Sequence, residues 1–316
     1  MQTIRAIGHS TRGAQARVVK MAYQLTIRSV LDHAAPVWDD CGDRMSQDVE
    51  SVQHRCLARA LGVNYRSHAT DVCVEAGHPP LLIRRRVQLL RYWIRLNSHH
   101  SPLVAHLATL PLSFRLQEVR RSSYWERLQS LCSSLNLTVQ QAAFLSPTDL
   151  EQITFHLWEI HNRAVRLDRP DDRRRHYASL QTTLSPHPAL NSSLPRASKS
   201  IFHGLRLGTA PLQQFLSSIE CVPSPECSCG EGEESVDHFL LRCRRFAPQR
   251  LVLQNKLDNL LGPLPLTTQL LLGNDPARPK KILLKIARFV CVFVASTQRF
   301  TRRRSHLHRR APHNLL

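Results

Sequence analysis

Glycine is scarce in this chain, 11 residues in 316, while leucine is plentiful. That balance argues against a sheet-rich fold and for a mainly α one. Acidic residues are also few: 24 Asp and Glu stand against 43 Lys and Arg, a net charge of +19. Such an excess excludes an acid-lined surface as the dominant feature and points to a polyanionic partner. Arginine makes up most of the basic residues, which suits bidentate contact with phosphate. Long apolar runs are missing. The longest candidate, Ile282 to Val294, is interrupted by Lys285 and Arg288, so no bilayer-spanning segment and no membrane partner is expected. The opening MQTIRAIGHS has no apolar h-region, and the nine cysteines are irregularly spaced. A reducing, intracellular setting follows, in which clustered thiols are read first as metal ligands. No Ser/His/Asp elbow and no phosphate-binding glycine loop is present, and no catalytic residue or organic cofactor is assigned.

The most informative stretch is CSCGEGEESVDHFLLRC, residues 227–243. It places Cys227, Cys229, His238 and Cys243 in a C-x-C-x8-H-x4-C pattern. A structural Zn²⁺ takes four such sulfur and nitrogen donors in a tetrahedron. Gly230 and Gly232 allow a tight turn that aims two close thiolates at one centre. Ser235 reads as a helix N-cap, which puts His238 on the first turns of a helix and Cys243 just past its end. The alternative is a buried cluster of ordinary core cysteines. Cys221 is a possible substitute ligand.

Helical spacing recurs along the chain. A first helix from Gln15 to Leu31 is expected to stop at Pro36. A second, through Met45, Val52, Cys56 and Leu61, ends at Gly62, and a short third ends at Gly77. Leu82 to Asn97 forms a fourth, with Val87, Leu90, Trp93 and Ile94 inward and Arg84, Arg85, Arg91 and Arg95 on a basic face suited to backbone phosphates. Ser123 with Glu126 reads as a capping box. Ser146-Pro147 starts a helix with Leu150, Ile153, Leu157 and Ile160 on one side. Residues 185–195 read as a linker. The last helix runs from Lys280 to Thr297, and the tail carries Arg302, Arg303, Arg304, Arg309 and Arg310 for nucleic-acid contact or nuclear import.

The segments LTIRSVLDHAAPVW, DVESVQHRCLARALGV and VEAGHPPLLIRRRVQLLRYWIRL resemble the region following the polymerase core of non-LTR retrotransposon reverse transcriptases. The features that carry the likeness are Ser29-Val30-Leu31, Ala35-Pro36-Val37-Trp38, Val52-Gln53, Leu61-Gly62 and Pro80-Leu81. IFHGLRLGTAPLQQFL, with Leu205, Arg206, Gly208 and Pro211, resembles the segment before the terminal Cys/His motif of the same family. Glu233-Glu234-Ser235, His238, Leu240-Leu241 and Cys243 follow in the family's order.

The resemblance implies a basic arm at 1–14, a thumb-like helical domain at 15–110, a helical connector and linker at 111–195, a zinc module at 196–263 and a C-terminal helix with basic tail at 264–316. It implies RNA or DNA binding, docking on the polymerase core of the same element, and a nuclear and cytoplasmic location. A protein-interaction module or a decayed fragment are the alternatives. A polymerase needs paired aspartates on a hairpin for two Mg²⁺ ions. The pairs here, Asp39-Asp40 and Asp171-Asp172, do not lie between strand-like runs, and no ribonuclease H pattern of spaced acids occurs. The expected role is therefore non-catalytic.

Overall fold

The structure, a computed structural model, describes residues 7–9, 13–33, 35–38, 42–98, 124–168 and 172–300. Among these residues it is mainly α, with no strand and one isolated antiparallel bridge, Glu226–Glu233. The pair Asp39-Asp40, Asp171, Ser123 of the expected capping box, and Arg302, Arg303, Arg304, Arg309 and Arg310 lie outside the described residues. No described helix is long and apolar enough to cross a membrane. Two compact units interleave along the chain: residues 1–22, 55–77 and 170–316 form one, and 23–54 with 78–169 form the other. The boundaries expected at 110 and 195 do not fall on this division.

The second unit is built around the helix Leu81–Ser98. Pro79 and Pro80 cannot extend it backwards, and its first free N–H groups, those of Leu81 and Leu82, donate to the Glu50 carboxylate at 3.1 and 2.6 Å. Burial raises the pKa of Glu50, against those two bonds. Ile83, Val87, Leu89, Leu90 and Trp93 are buried. Trp93 meets Trp125 edge-on at 5.5 Å, and its indole N–H donates to the Val139 carbonyl at 2.8 Å. The helix Pro147–Asp168 starts as expected: Asp149 N–H donates to Ser146 Oγ at 3.2 Å, and the Asp149 carboxylate accepts from Ser146 N–H at 2.8 Å. Its buried stripe runs through Leu150, Leu157 and Trp158 and leaves Ile160 half exposed, unlike the expected face. The first helix turns into a π segment at Tyr23–Arg28 and ends at Asp32, short of Pro36, which sits inside a separate turn, Ala35–Trp38.

The first unit packs the helices Ala69–Ala76, Asp172–Leu180, Arg196–Arg206, Ala247–Leu261 and Lys280–Ser296. Leu180, Phe202, Leu205, Phe239, Leu257, Ile286 and Val290 belong to one continuous core, so the boundaries expected at 195 and 263 run through it. Residues 185–195 are not a free linker. Pro188–Asn191 is a 3₁₀ turn, and His187, Ala189 and Leu190 are buried. Gly62 ends the helix Asp43–Leu61 with φ +76°. A Cβ there would lie 2.9 Å from Ser200 Oγ, whose hydroxyl donates to the Gly62 carbonyl at 2.5 Å. This close approach needs glycine both for its φ and for its missing side chain.

At the centre of this unit Glu75 and Arg206 are both fully buried. Arg206 Nε and Nη2 donate to the Glu75 carboxylate at 2.7 and 3.0 Å. Tyr177 Oη donates to it at 2.9 Å, and His203 Nδ1 lies 2.6 Å away. The remaining Arg206 donors reach the Gln181 side chain and the Leu272 carbonyl. Burial alone would raise the Glu75 pKa; the Arg206 guanidinium and His203 outweigh it and hold the carboxyl far below its ordinary range. A charge pair buried this deeply is tolerated because the Glu75 carboxylate accepts four contacts and all three guanidinium nitrogens of Arg206 have a partner.

Candidate metal centre

Cys227, Cys229, His238 and Cys243 come together, all four buried, with one ligand atom from each within 4.8 Å of every other. Cys227 Sγ and Cys243 Sγ are 3.8 Å apart, and Cys229 Sγ is 3.2 Å from His238 Nε2. A disulfide needs about 2.05 Å, and all three thiols are free. In a tetrahedron with metal–sulfur bonds of about 2.3 Å, the sulfur–sulfur edge is about 3.8 Å. The donor spacing thus fits one small tetrahedral ion, and the group can hold a metal.

Local chemistry explains how the chain reaches this geometry. Cys227 N–H donates to the Gly232 carbonyl at 2.8 Å and Gly230 N–H to the Cys227 carbonyl at 3.0 Å, closing a tight loop. Gly230 and Gly232 take φ of +80° and +93°, the left-handed region that a side chain would resist. Ser235 Oγ accepts from His238 N–H at 3.1 Å and its carbonyl from Phe239 N–H at 2.9 Å, the N-cap expected. His238–Arg242 then forms a π turn, closed by Cys243 N–H on the His238 carbonyl at 2.7 Å. The wide turn sets the spacing between the imidazole and the third thiol.

Two arginines support the ligand-bearing backbone. Arg244 Nη2 donates to the Cys229 carbonyl at 2.6 Å. Arg250 donates to the Cys243 carbonyl at 2.6 Å and the Leu240 carbonyl at 2.9 Å. Beneath the ligands, Phe239 packs against Phe246, Phe293 and Phe300 with centroids 5.3, 5.6 and 5.5 Å away. The buried Glu234 accepts from Gln213 N–H at 2.8 Å and from Arg299 Nε at 2.6 Å. Phe246 and Arg250 directly follow the motif in the sequence, whereas Phe293 and Arg299 were not visible as supports, because each lies more than fifty residues from its partner Phe239 or Glu234.

Electrostatics separate the thiols. Burial, reinforced by the neighbouring thiols, pushes the Cys227 thiol up to about 12. At Cys229 burial acts the same way but is outweighed by the Glu231 N–H, 3.4 Å from the sulfur, and by the other two thiols, so its pKa falls. A divalent cation takes cysteine as thiolate, so an ion held here would release protons from the thiols. Cys221 is exposed and stands outside the cluster.

The basic face expected on Leu82–Asn97 divides. Arg91 and Arg95 are exposed. Arg84 donates to both oxygens of Asp32 at 2.7 Å. Arg85 is 2 % exposed, donates to Ser46 Oγ at 2.7 Å and stacks over Trp38 at 5.2 Å. The placement of Arg85 on that face is therefore corrected: adjacent helical residues diverge by about 100°, so Arg85 cannot share a side with Arg84, Arg91 and Arg95. Asp172 opens the helix Asp172–Leu180.

Comparison with protein families, with curated proteins and with solved structures found no match.

Proposed function

We propose that this chain is a non-catalytic, zinc-stabilised nucleic-acid-binding region of a non-LTR retrotransposon reverse transcriptase. The observation that carries the reading is the buried Cys227–Cys229–His238–Cys243 cluster, in a segment where Glu233-Glu234-Ser235, His238, Leu240-Leu241 and Cys243 resemble that family's terminal motif in their order. Three thiolates and one imidazole are the donor set Zn²⁺ favours in a structural site, with no position left for a substrate. Bound there, zinc would supply fold stability to a loop that has little core of its own. A net charge of +19 and the exposed Arg91 and Arg95 support phosphate contact as the source of affinity.

The test measures binding of a structured RNA and a DNA duplex to the full chain across a salt series, with zinc content by elemental analysis on the same sample. About one zinc per chain and a steep fall in affinity with salt are expected. Weak, salt-insensitive binding removes the nucleic-acid reading, and a folded chain without metal removes the zinc.

A second reading is a module that docks on the polymerase core. Exposed Val18, Met21, Leu25 and Val30 favour it. Capture of the polymerase core in trans, persisting at high salt without nucleic acid, would select it.

A further inference from the structure

Beside the basic helix lies a groove of about 430 Å³ whose walls are Gln88, Arg91 and Arg95 on one side and Leu145, Pro147 and Leu150 on the other, with Ile94 also lining it. Its lining is mostly apolar, yet it contains two exposed guanidiniums and no acid. Arg91 and Arg95 are four residues apart and so stand on one face of the helix. Among the described residues neither is ion-paired; Arg95 rests over the Tyr92 ring at 5.9 Å. Asp149, close in sequence to Pro147, is held in its cap by Ser146. Phe144, next in the chain to Leu145 and just outside the groove's lining, is 88 % exposed. An aromatic left this far in water, with no ring contact among the described residues, adds little to the packing of the fold.

From this arrangement we infer that the groove is a binding site for single-stranded nucleic acid, with phosphates on Arg91 and Arg95 and an unstacked base against the apolar wall and Phe144. The inference rests on the nucleic-acid reading above and sharpens it to one strand and one surface. Unpaired cations alone would suit any polyanion, including a duplex. The apolar lining and the exposed ring have no use for a duplex, whose bases are stacked inward. They suit a base with a free π-face, since stacking on an aromatic side chain works for every base. An acidic peptide would satisfy the arginines, but the groove offers its backbone no polar group beyond Gln88.

Fluorescence anisotropy on the full chain tests this with three probes: an RNA single strand of about ten nucleotides, the same strand without bases, and an RNA duplex. Phe144→Ala touches no buried atom and should weaken single-strand binding about tenfold, the effect of losing one stacked base. It should leave the abasic strand and the duplex unchanged. The Arg91→Gln, Arg95→Gln double variant should lower the salt slope for the single strand by about 1.4, two phosphates' worth. If the wild-type chain binds RNA and both variants bind as tightly, the groove assignment is wrong while the nucleic-acid reading stands. If only the arginine variant weakens binding, the base contact is overturned. If the wild-type chain binds none of the probes at low salt, both readings fall together.

Discussion

The Cys227–Cys243 loop and the Leu81–Ser98 helix each concentrate reactive or charged side chains in under twenty residues, and the fold treats them in opposite ways. The loop buries all four donors and surrounds them with backbone hydrogen bonds, two arginines and an aromatic cluster. The helix sorts its five arginines: Arg85 is buried, Arg84 is ion-paired, and Arg86, Arg91 and Arg95 stay in water. Buried groups must satisfy one another, so their identity and spacing are fixed together. Exposed charges face no such demand, and their use depends on what the neighbouring elements leave uncovered. Stability should therefore be sensitive to the loop and ligand affinity to the helix.

The largest effect that would break this contrast is loss of the metal. Cys243→Ser, or chelation of the wild-type chain, should remove zinc and the order it supports, since structural zinc contributes on the order of 10 kcal/mol or more in small modules. Hydrogen exchange should show the amides of Ala247–Leu261 and Lys280–Ser296 losing protection while those of Leu81–Ser98 keep it. Equal losses in both would mean that the two regions do not respond separately.

Next in size is Glu75→Gln, which keeps the shape and leaves Arg206 as an unpaired buried charge. A cost of about 3–5 kcal/mol in urea unfolding is expected. Removing both charges with Glu75→Leu and Arg206→Met should cost less than the single change, because no buried charge is left unpaired, while Tyr177, His203, Gln181 and the Leu272 carbonyl each lose one hydrogen bond. A double variant worse than Glu75→Gln would show that the pair is net stabilising.

The two units should also answer pH differently. Burial holds the His187 pKa well below its ordinary value, so the unfolded chain binds a proton more readily. Stability from this group is present above about pH 6.5 and is lost as pH falls below it. Glu75, held low by Arg206, loses its contribution at still lower pH, as pH falls below about 4.3 toward its native value. Glu50, raised by burial, has the opposite sign: the folded state keeps a proton longer, so its contribution declines as pH rises above about 4.3. Residue-level exchange across pH 4 to 8 should show the Ala69–Ala76 helix gaining protection while the first turn of Leu81–Ser98 does not follow it; parallel curves would refute the assignment.

The smallest expected effect separates two neighbouring arginines. Arg85→Gln removes a hydrogen bond to Ser46 and a stack on Trp38 and should cost about 1–3 kcal/mol with little change in the salt slope for RNA. Arg91→Gln should do the reverse, changing stability by less than about 0.5 kcal/mol and the slope by about 0.7. Identical behaviour of the two would erase the distinction between a packed and a working arginine.

The donor set was legible because Cys227, Cys229, His238 and Cys243 fall in one short window, where chain geometry leaves few other outcomes. Gly62 and Gly77 marked helix ends for the same reason, their φ values being a local matter. The last helix followed from its wide apolar face. The Glu75–Arg206 pair was not legible: its members are 131 residues apart, and nothing local distinguishes Glu75 from a surface carboxylate. Arg85 is misplaced when four of the five arginines in residues 84–95 are read as one face. The buried turn at 188–191 was hidden by a composition of proline, serine and asparagine that reads as exposed.

The separation of Glu75 from Arg206 also has a meaning in time. A ribosome reaches the arginine codon 131 residues after the glutamate, roughly ten seconds later at about 5–20 residues per second. Arg59 and Ala60 wait as long for the guanidinium of Arg196 that their carbonyls accept. Throughout that interval Glu75 and the carbonyls of Arg59 and Ala60 lack these arginine partners.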